Sequence, residues 1–195
     1  MTQTVQQFPR ETIKFNYDDY LLLPDDGNRY EIIEGELFMA PAPSIKHQDN
    51  LFELGVRIRE FVKEKKLGMV FLSPCDVVLS NTSIIQPDIV FVSKENRGII
   101  TEKNIQGAPD LVIEIISPNT AERDLVLKKK LYAKHGVKEY WIVFIKEQKV
   151  EVYRLAEQTY ILDRLYEKSD ILKSPLIAGL KIRLSEVFRE LGDYF

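Results

Sequence analysis

The sequence predicts a mixed α/β fold: a β-sheet with a helix on each face. Two observations predict it. Leu111, Val112, Ile113, Ile115 and Ile116 form a short apolar run without alternation, the pattern of a strand covered on both sides at the centre of a sheet. Two stretches carry helical signals, and segments of strand character lie between and after them, in the order helix, strands, helix, strands.

Taken in order, the polar residues 1–14 are expected to form a flexible N-terminus, with 15–195 a single domain. Tyr17 to Leu23 reads as a short helix stopped by Pro24. Arg29 to Met39 reads as a β-hairpin about Glu34 and Gly35. Ser44 is the expected N-cap of a long helix ending near Gly68, with His47, Leu51, Leu54, Ile58 and Phe61 on its apolar face. Met69 to Leu79 is strand-like, broken at Ser73 and Pro74, and 84–92 reads as one strand with Asp88 inside it. A polar loop spans 93–108 and leads into the central strand.

Asn119 with Glu122 reads as a capping box opening the second helix, and Gly136 closes it. Within it Asp124, Lys128 and Tyr132 recur every four residues and share a face. Beyond it, 139–145 is an apolar strand, 149–155 an alternating one and 160–166 an edge strand. Ser174 and Pro175 break the chain, and 184–191 reads as a closing helix.

Composition narrows the chemistry. The net charge of −3 gives no global basic field, so any nucleic-acid contact relies on a local patch or on bound cations. The single Cys75 rules out an intramolecular disulfide and a multi-cysteine zinc site. No apolar run is long enough to span a membrane, and the N-terminal residues show no signal region, so a cytoplasmic protein is expected.

Glu114 is the residue most in need of explanation. A carboxylate in a dry central strand costs several kcal/mol unless it is neutralised, paired or bound to a metal. A helix entering beyond that strand can lay Lys128 over it. A carboxylate, a lysine and a metal make a phosphodiester-hydrolysing site if a second carboxylate comes from a neighbouring strand.

The residues then fall into a known series. Arg29-Tyr30-Glu31, Gly35-Glu36-Leu37, Pro43-Ser44 and His47 come first. Gln86-Pro87-Asp88 and the stretch from Pro109 and Asp110 through Glu114 to Ser117-Pro118 follow. Asp124, Lys128 and Tyr132, then Gly136-Val137, Glu139-Tyr140-Trp141 and Gly179-Leu180 complete it. This series resembles the Uma-two family of restriction endonucleases, common in cyanobacteria, within the restriction-endonuclease-like PD-(D/E)XK superfamily. The resemblance runs over nearly the whole chain.

The resemblance implies a restriction-endonuclease-like mixed sheet flanked by helices, with an N-terminal hairpin. It implies a metal-dependent endonuclease acting on phosphodiester bonds, with DNA as the expected partner. Asp88 and Glu114 would be the acidic ligands of Mg2+ or Mn2+, completed by the backbone carbonyl of Ile115 and water. The superfamily's lysine position, two after Glu114, is Ile116, and Lys128 on the helix occupies the position to which the family's lysine has moved. Asp110 is the rival acid, but four strand residues put it about 13 Å from Glu114, too far for one ion. His47, Glu31 and Tyr132 are the expected supporting residues.

A homodimer suits cleavage of both strands of a duplex. Two rivals stand beside this reading. One is a nuclease-fold protein that binds nucleic acid or a partner without cutting. The other is a plain interaction module with Glu114 and Lys128 as a buried ion pair.

Overall fold

The computed structural model describes residues 13–40, 42–116, 123–190 and 192. Its centre is a six-stranded sheet with the order β11-β10-β9-β8-β6-β3. The ranges are β3 Gly68–Leu72, β6 Ile89–Ser93, β8 Leu111–Ile116, β9 Glu139–Phe144, β10 Lys149–Ala156 and β11 Thr159–Glu167. β8 and β9 run parallel, and the other pairs are antiparallel. The apolar run at 111–116 is therefore a central strand, as its lack of alternation requires.

The hairpin forms as expected, from β1 (Arg29–Ile33) and β2 (Glu36–Ala40). Glu34 and Gly35 both take positive φ, 51° and 89°, as a two-residue turn matched to strand twist demands. The hairpin does not extend the central sheet. It joins β4 (Val77–Ser80), β5 (Ser83–Ile85) and β7 (Ile105–Gln106) in a second sheet of order β2-β1-β5-β4-β7. This corrects the single strand expected at 84–92. β5 belongs to the small sheet and β6 to the large one, and Gln86, Pro87 and Asp88 carry the chain between them. Pro87 has no N–H for a ladder, which suits a crossing point.

α1 (Tyr17–Leu21) is capped by Asn16, whose side chain accepts from Asp18 and Asp19 N–H. α2 (Ile45–Lys65) is capped by Ser44, which accepts from the His47 N–H. Lys66, at φ 54°, ends it in left-handed conformation, two residues before the expected Gly68. Leu51, Leu54, Ile58 and Val62 of α2 pack on one face of the large sheet, against Ile89, Leu111, Ile113, Ile115 and Trp141. Complete burial of Leu54 and Ile58 is worth about 1.5–3 kcal/mol each.

The opposite face of the sheet presents Val90, Val92, Val112 and Ile142. They meet Ile33, Val77 and Ile85 of the small sheet, and Leu131 and Tyr132 of α3 (Lys129–His135). Successive residues of β8 thus enter different cores. Ile113 and Ile115 face α2, while Val112, with Glu114 in step, faces α3 and the small sheet.

Two helical expectations change. Asn119 and Glu122 lie outside the described residues, as does the side chain of Asp124. The segment Arg123–Lys128 is a π-helical turn that passes into α3 and ends at Gly136, φ 85°. The closing helix expected at 184–191 is only a 3-10 turn, Leu184–Glu186, followed by one i to i+4 bond from Phe188 to Leu184. Leu184, Val187 and Phe188 are buried against the α2 side of the core, so packing rather than helix repeat fixes them. Before it, β12 (Ile171–Lys173) pairs with β13 (Lys181–Arg183).

Candidate active site

The candidate site forms where β6 begins beside β8. The register Ile89↔Ile113 puts Asp88, one residue earlier, across from Glu114, one residue later. Beyond that point β6 offers no strand partner to the N–H of Ile115. Asp88 replaces it: its Oδ2 accepts from Ile115 N at 2.8 Å. The same oxygen lies 3.2 Å from His47 Nε2 of α2, so the ring steadies the carboxylate from the α2 side. His47 Nδ1 and Asn50 Oδ1 are buried without hydrogen-bond partners among the described residues.

Glu114 points the other way, toward α3. Its Oε1 accepts from Lys128 Nζ at 3.0 Å and from the Tyr132 hydroxyl at 2.5 Å. Lys128 and Tyr132 are one helical turn apart, the spacing that brings both side chains to one point. Lys128 Nζ also lies 2.8 Å from Glu31 Oε1, which in turn accepts from the backbone N–H of Gln86 at 2.9 Å. Glu31 comes from β1 of the small sheet, so three elements meet on one ammonium. All three charged groups are at most 3% exposed.

Such burial is tolerable only because the charges answer one another. Two carboxylates on one lysine leave an excess negative charge, and Asp88 adds another nearby. Burial, together with the charge of Glu114, pushes the Tyr132 phenol well above its ordinary value, so it remains a donor to that carboxylate.

The structure thus gathers Asp88, Glu114, Lys128, His47, Glu31 and Tyr132 about two adjoining strand ends. Ile115 links the halves through its N–H. Asp110 is elsewhere, bound to Lys138 at 2.7 Å, to the Ser93 N–H and to Asn96. Ile116 lines a cleft of about 370 Å3 with Ser44, Lys46, His47, Ile145, Lys146, Gln148 and Glu190.

Some participants carried no signal of their own. Gln86 stands in the series before Asp88, yet its backbone role on Glu31 depends on the crossing between sheets. Its side chain binds Asp76 at 2.8 Å and the Tyr20 hydroxyl at 3.1 Å, tying α1 to the site. Asn50, one turn beyond His47, is buried beside the site, its amide donating to Lys46 O within α2.

Two acids thus stand at adjoining strand ends of a mixed α/β sheet, with a lysine laid over one of them. The fold is shared with solved structures. The chain is similar to one titled "a putative nuclease belonging to DUF820 from Anabaena variabilis", with 26% identity and a TM-score of 0.74, covering 89% of this chain and 97% of that one. The profile of the Uma2 family, described as "Putative restriction endonuclease", matches residues 17–185, and the chain belongs to that family. No curated protein matches the chain.

Proposed function

We propose that the protein is a divalent-metal-dependent endonuclease that hydrolyses phosphodiester bonds in DNA. The observation that carries this reading is that Asp88, just before β6, and Glu114 of β8 stand beside each other at adjoining strand ends, Asp88 bonded to the Ile115 N–H and Lys128 held on Glu114. Family membership and the resemblance to the Anabaena variabilis protein support it.

The donor chemistry fits a hard cation. Asp88 uses only Oδ2 for its hydrogen bonds, leaving Oδ1 without a partner among the described residues. Carboxylate oxygens of Asp88 and Glu114 and the Ile115 carbonyl would hold Mg2+ or Mn2+. Among the described residues no three His, Cys, Asp or Glu side chains cluster closely enough to hold an ion by themselves. Mg2+ keeps several of its waters and takes one or two carboxylates. When bound, such an ion supplies Lewis acidity to a phosphoryl oxygen and acidity to a water.

The chain's own residues do the rest. His47 and the Ile115 N–H fix the Asp88 carboxylate in place. Tyr132 and Lys128 fix Glu114, and Lys128 brings a positive charge toward the phosphorane-like transition state. Glu31 is a positioning residue that holds the ammonium from the other side. Ile116, where a lysine would otherwise stand, contributes apolar wall to the cleft. A homodimer suits two cuts in a duplex.

The test is cleavage of plasmid and single-stranded DNA by purified protein with Mg2+, Mn2+ or EDTA, beside Asp88→Asn and Glu114→Gln. Metal-dependent cutting, absent from both variants, is expected. Cutting that survives either substitution would overturn the site. A second reading rests on the same Lys128 contacts: Glu31, Lys128 and Glu114 as a buried ion cluster in a non-cleaving, nucleic-acid-binding or protein-binding module. It requires that Mg2+ and Mn2+ leave thermal stability unchanged.

A further inference from the structure

β11 is the outer strand of the large sheet, nine residues long, and among the described residues its only strand neighbour is β10. The opposite edge strand, β3, has five. A long uncovered edge offers a row of backbone donors and acceptors, and proteins usually blunt it. β11 carries the exposed charges Asp163 and Arg164 at its middle and exposes Ile161, Leu162 and Leu165 around them, at 47, 52 and 40%. Beside its first residues, Val126 and Leu125 line a cleft of about 380 Å3 with Thr159 and Tyr160.

The register of β11 shows a second property. Val152 pairs with Arg164 but Tyr153 pairs with Leu162, so Asp163 is an extra residue, a bulge. Leu165 lies opposite Glu151 and Leu162 opposite Tyr153. Those two partners share a face of β10, so Leu162 and Leu165 share a face of β11 despite their odd spacing. On the other face, Ile161 opposite Arg154 comes into line with Tyr166 opposite Val150.

We propose that β11 is the interface for a second copy of this chain, paired antiparallel about a two-fold axis between Asp163 and Arg164. In that register Leu162 meets the partner's Leu165 on one face, and on the other Ile161 comes opposite the partner's Tyr166, whose ring is buried in its own core. Asp163 meets the partner's Arg164, twice by symmetry. Within its own chain Asp163 Oδ1 accepts from Arg154 Nε at 2.6 Å, so each aspartate stands between two arginines in the dimer. An unbulged strand cannot pair in this register, because residues of odd spacing would lie on opposite faces. The bulge that disrupts the ladder to β10 makes the outer edge self-complementary in shape and charge. A two-fold contact requires this of a single patch. The two central sheets become one continuous sheet, with the candidate sites on strands away from the junction. The interface stands apart from the nuclease reading, since association is measured without substrate.

The test uses charge complementation in the full chain. Asp163→Arg sets arginines against arginines across the axis, and Arg164→Asp sets aspartates against aspartates. Each should raise the dimer dissociation constant at least about tenfold, since two symmetric pairs become repulsive. In an equimolar mixture the paired arginines of the first variant face the paired aspartates of the second, and the dimer should be recovered. Sedimentation equilibrium across the micromolar range reads wild type, each variant and the mixture, and circular dichroism checks the fold. Leu162→Lys, at a half-exposed position, should dissociate the dimer without altering either charged residue. A wild type that sediments as a monomer throughout overturns the proposal. So do folded single variants that associate as wild type does, and a mixture of folded variants that stays monomeric. Should either charge variant fail to fold, Leu162→Lys decides, and its association at wild-type strength overturns the proposal.

Discussion

Asp88 accepts a 2.8 Å hydrogen bond from the backbone N–H of Ile115, a side chain standing in for a missing strand. The bond lies where β6 has not yet begun and β8 still needs a partner. It ties a proposed metal ligand to the architecture of the sheet, and it allows the two roles to be separated.

Asp88→Ala removes the acceptor and leaves the buried Ile115 N–H unsatisfied, which costs about 1–3 kcal/mol. Asp88→Asn keeps an oxygen for that N–H but removes the charge. The alanine variant should lose stability in urea unfolding, and the asparagine variant should keep most of it. Only the wild type should gain a higher melting temperature on addition of Mg2+, because an ion stabilises the state that binds it. Equal Mg2+ shifts in wild type and Asp88→Asn would remove Asp88 from the ion site.

Lys128→Ala leaves Glu31 and Glu114 facing each other in a dry interior. Breaking one side of a buried pair costs about 3–5 kcal/mol. Adding Glu31→Gln to that variant should recover part of the loss, since it removes one of the two stranded charges. Chemical denaturation of the single and double variants measures the coupling. Strict additivity would mean that Glu31 does not act through Lys128.

Acid pH should act through Asp110. Burial works to raise its pKa, but Lys138, the Ser93 N–H and Asn96 together outweigh that and hold it below 3.8. The folded value is thus below the unfolded one. The stabilisation is fully present above 3.8 and fades as pH falls through the folded value. Lys138 is 61% exposed, so solvent screens the contribution. The gap in urea midpoint between wild type and Asp110→Asn should be constant near neutrality and narrow in acid. A gap that widens in acid would show the opposite sign.

Much of the site was legible because its parts obey local rules. Glu114 breaks an apolar run, and Lys128 and Tyr132 stand one turn apart, so each announces itself. That both would reach the same Glu114 oxygen follows from the helix docking on the α3 face. The split of 84–92 was not legible. Ile84, Ile85, Ile89 and Val90 have the same β character, and only tertiary pairing assigns them to different sheets. The bridging role of Glu31 was hidden for the same reason, since it depends on how the small sheet docks. At the C-terminal end, Leu184, Val187 and Phe188 carry helical spacing, yet a single turn suffices to bury them. No helix among the described residues is long and apolar enough to cross a membrane, in keeping with the absence of a long apolar run.

Glu31 rises from one sheet and Glu114 from another, and a single ammonium joins them. Lys128 is therefore a rivet between two layers as well as the charge proposed to act on the phosphate. Water entering that seam would hydrate three charged groups together, so the layers should part all at once or not at all. Thermal inactivation and undocking of the small sheet would then coincide. Amide exchange in β1 and β8 would report the same event.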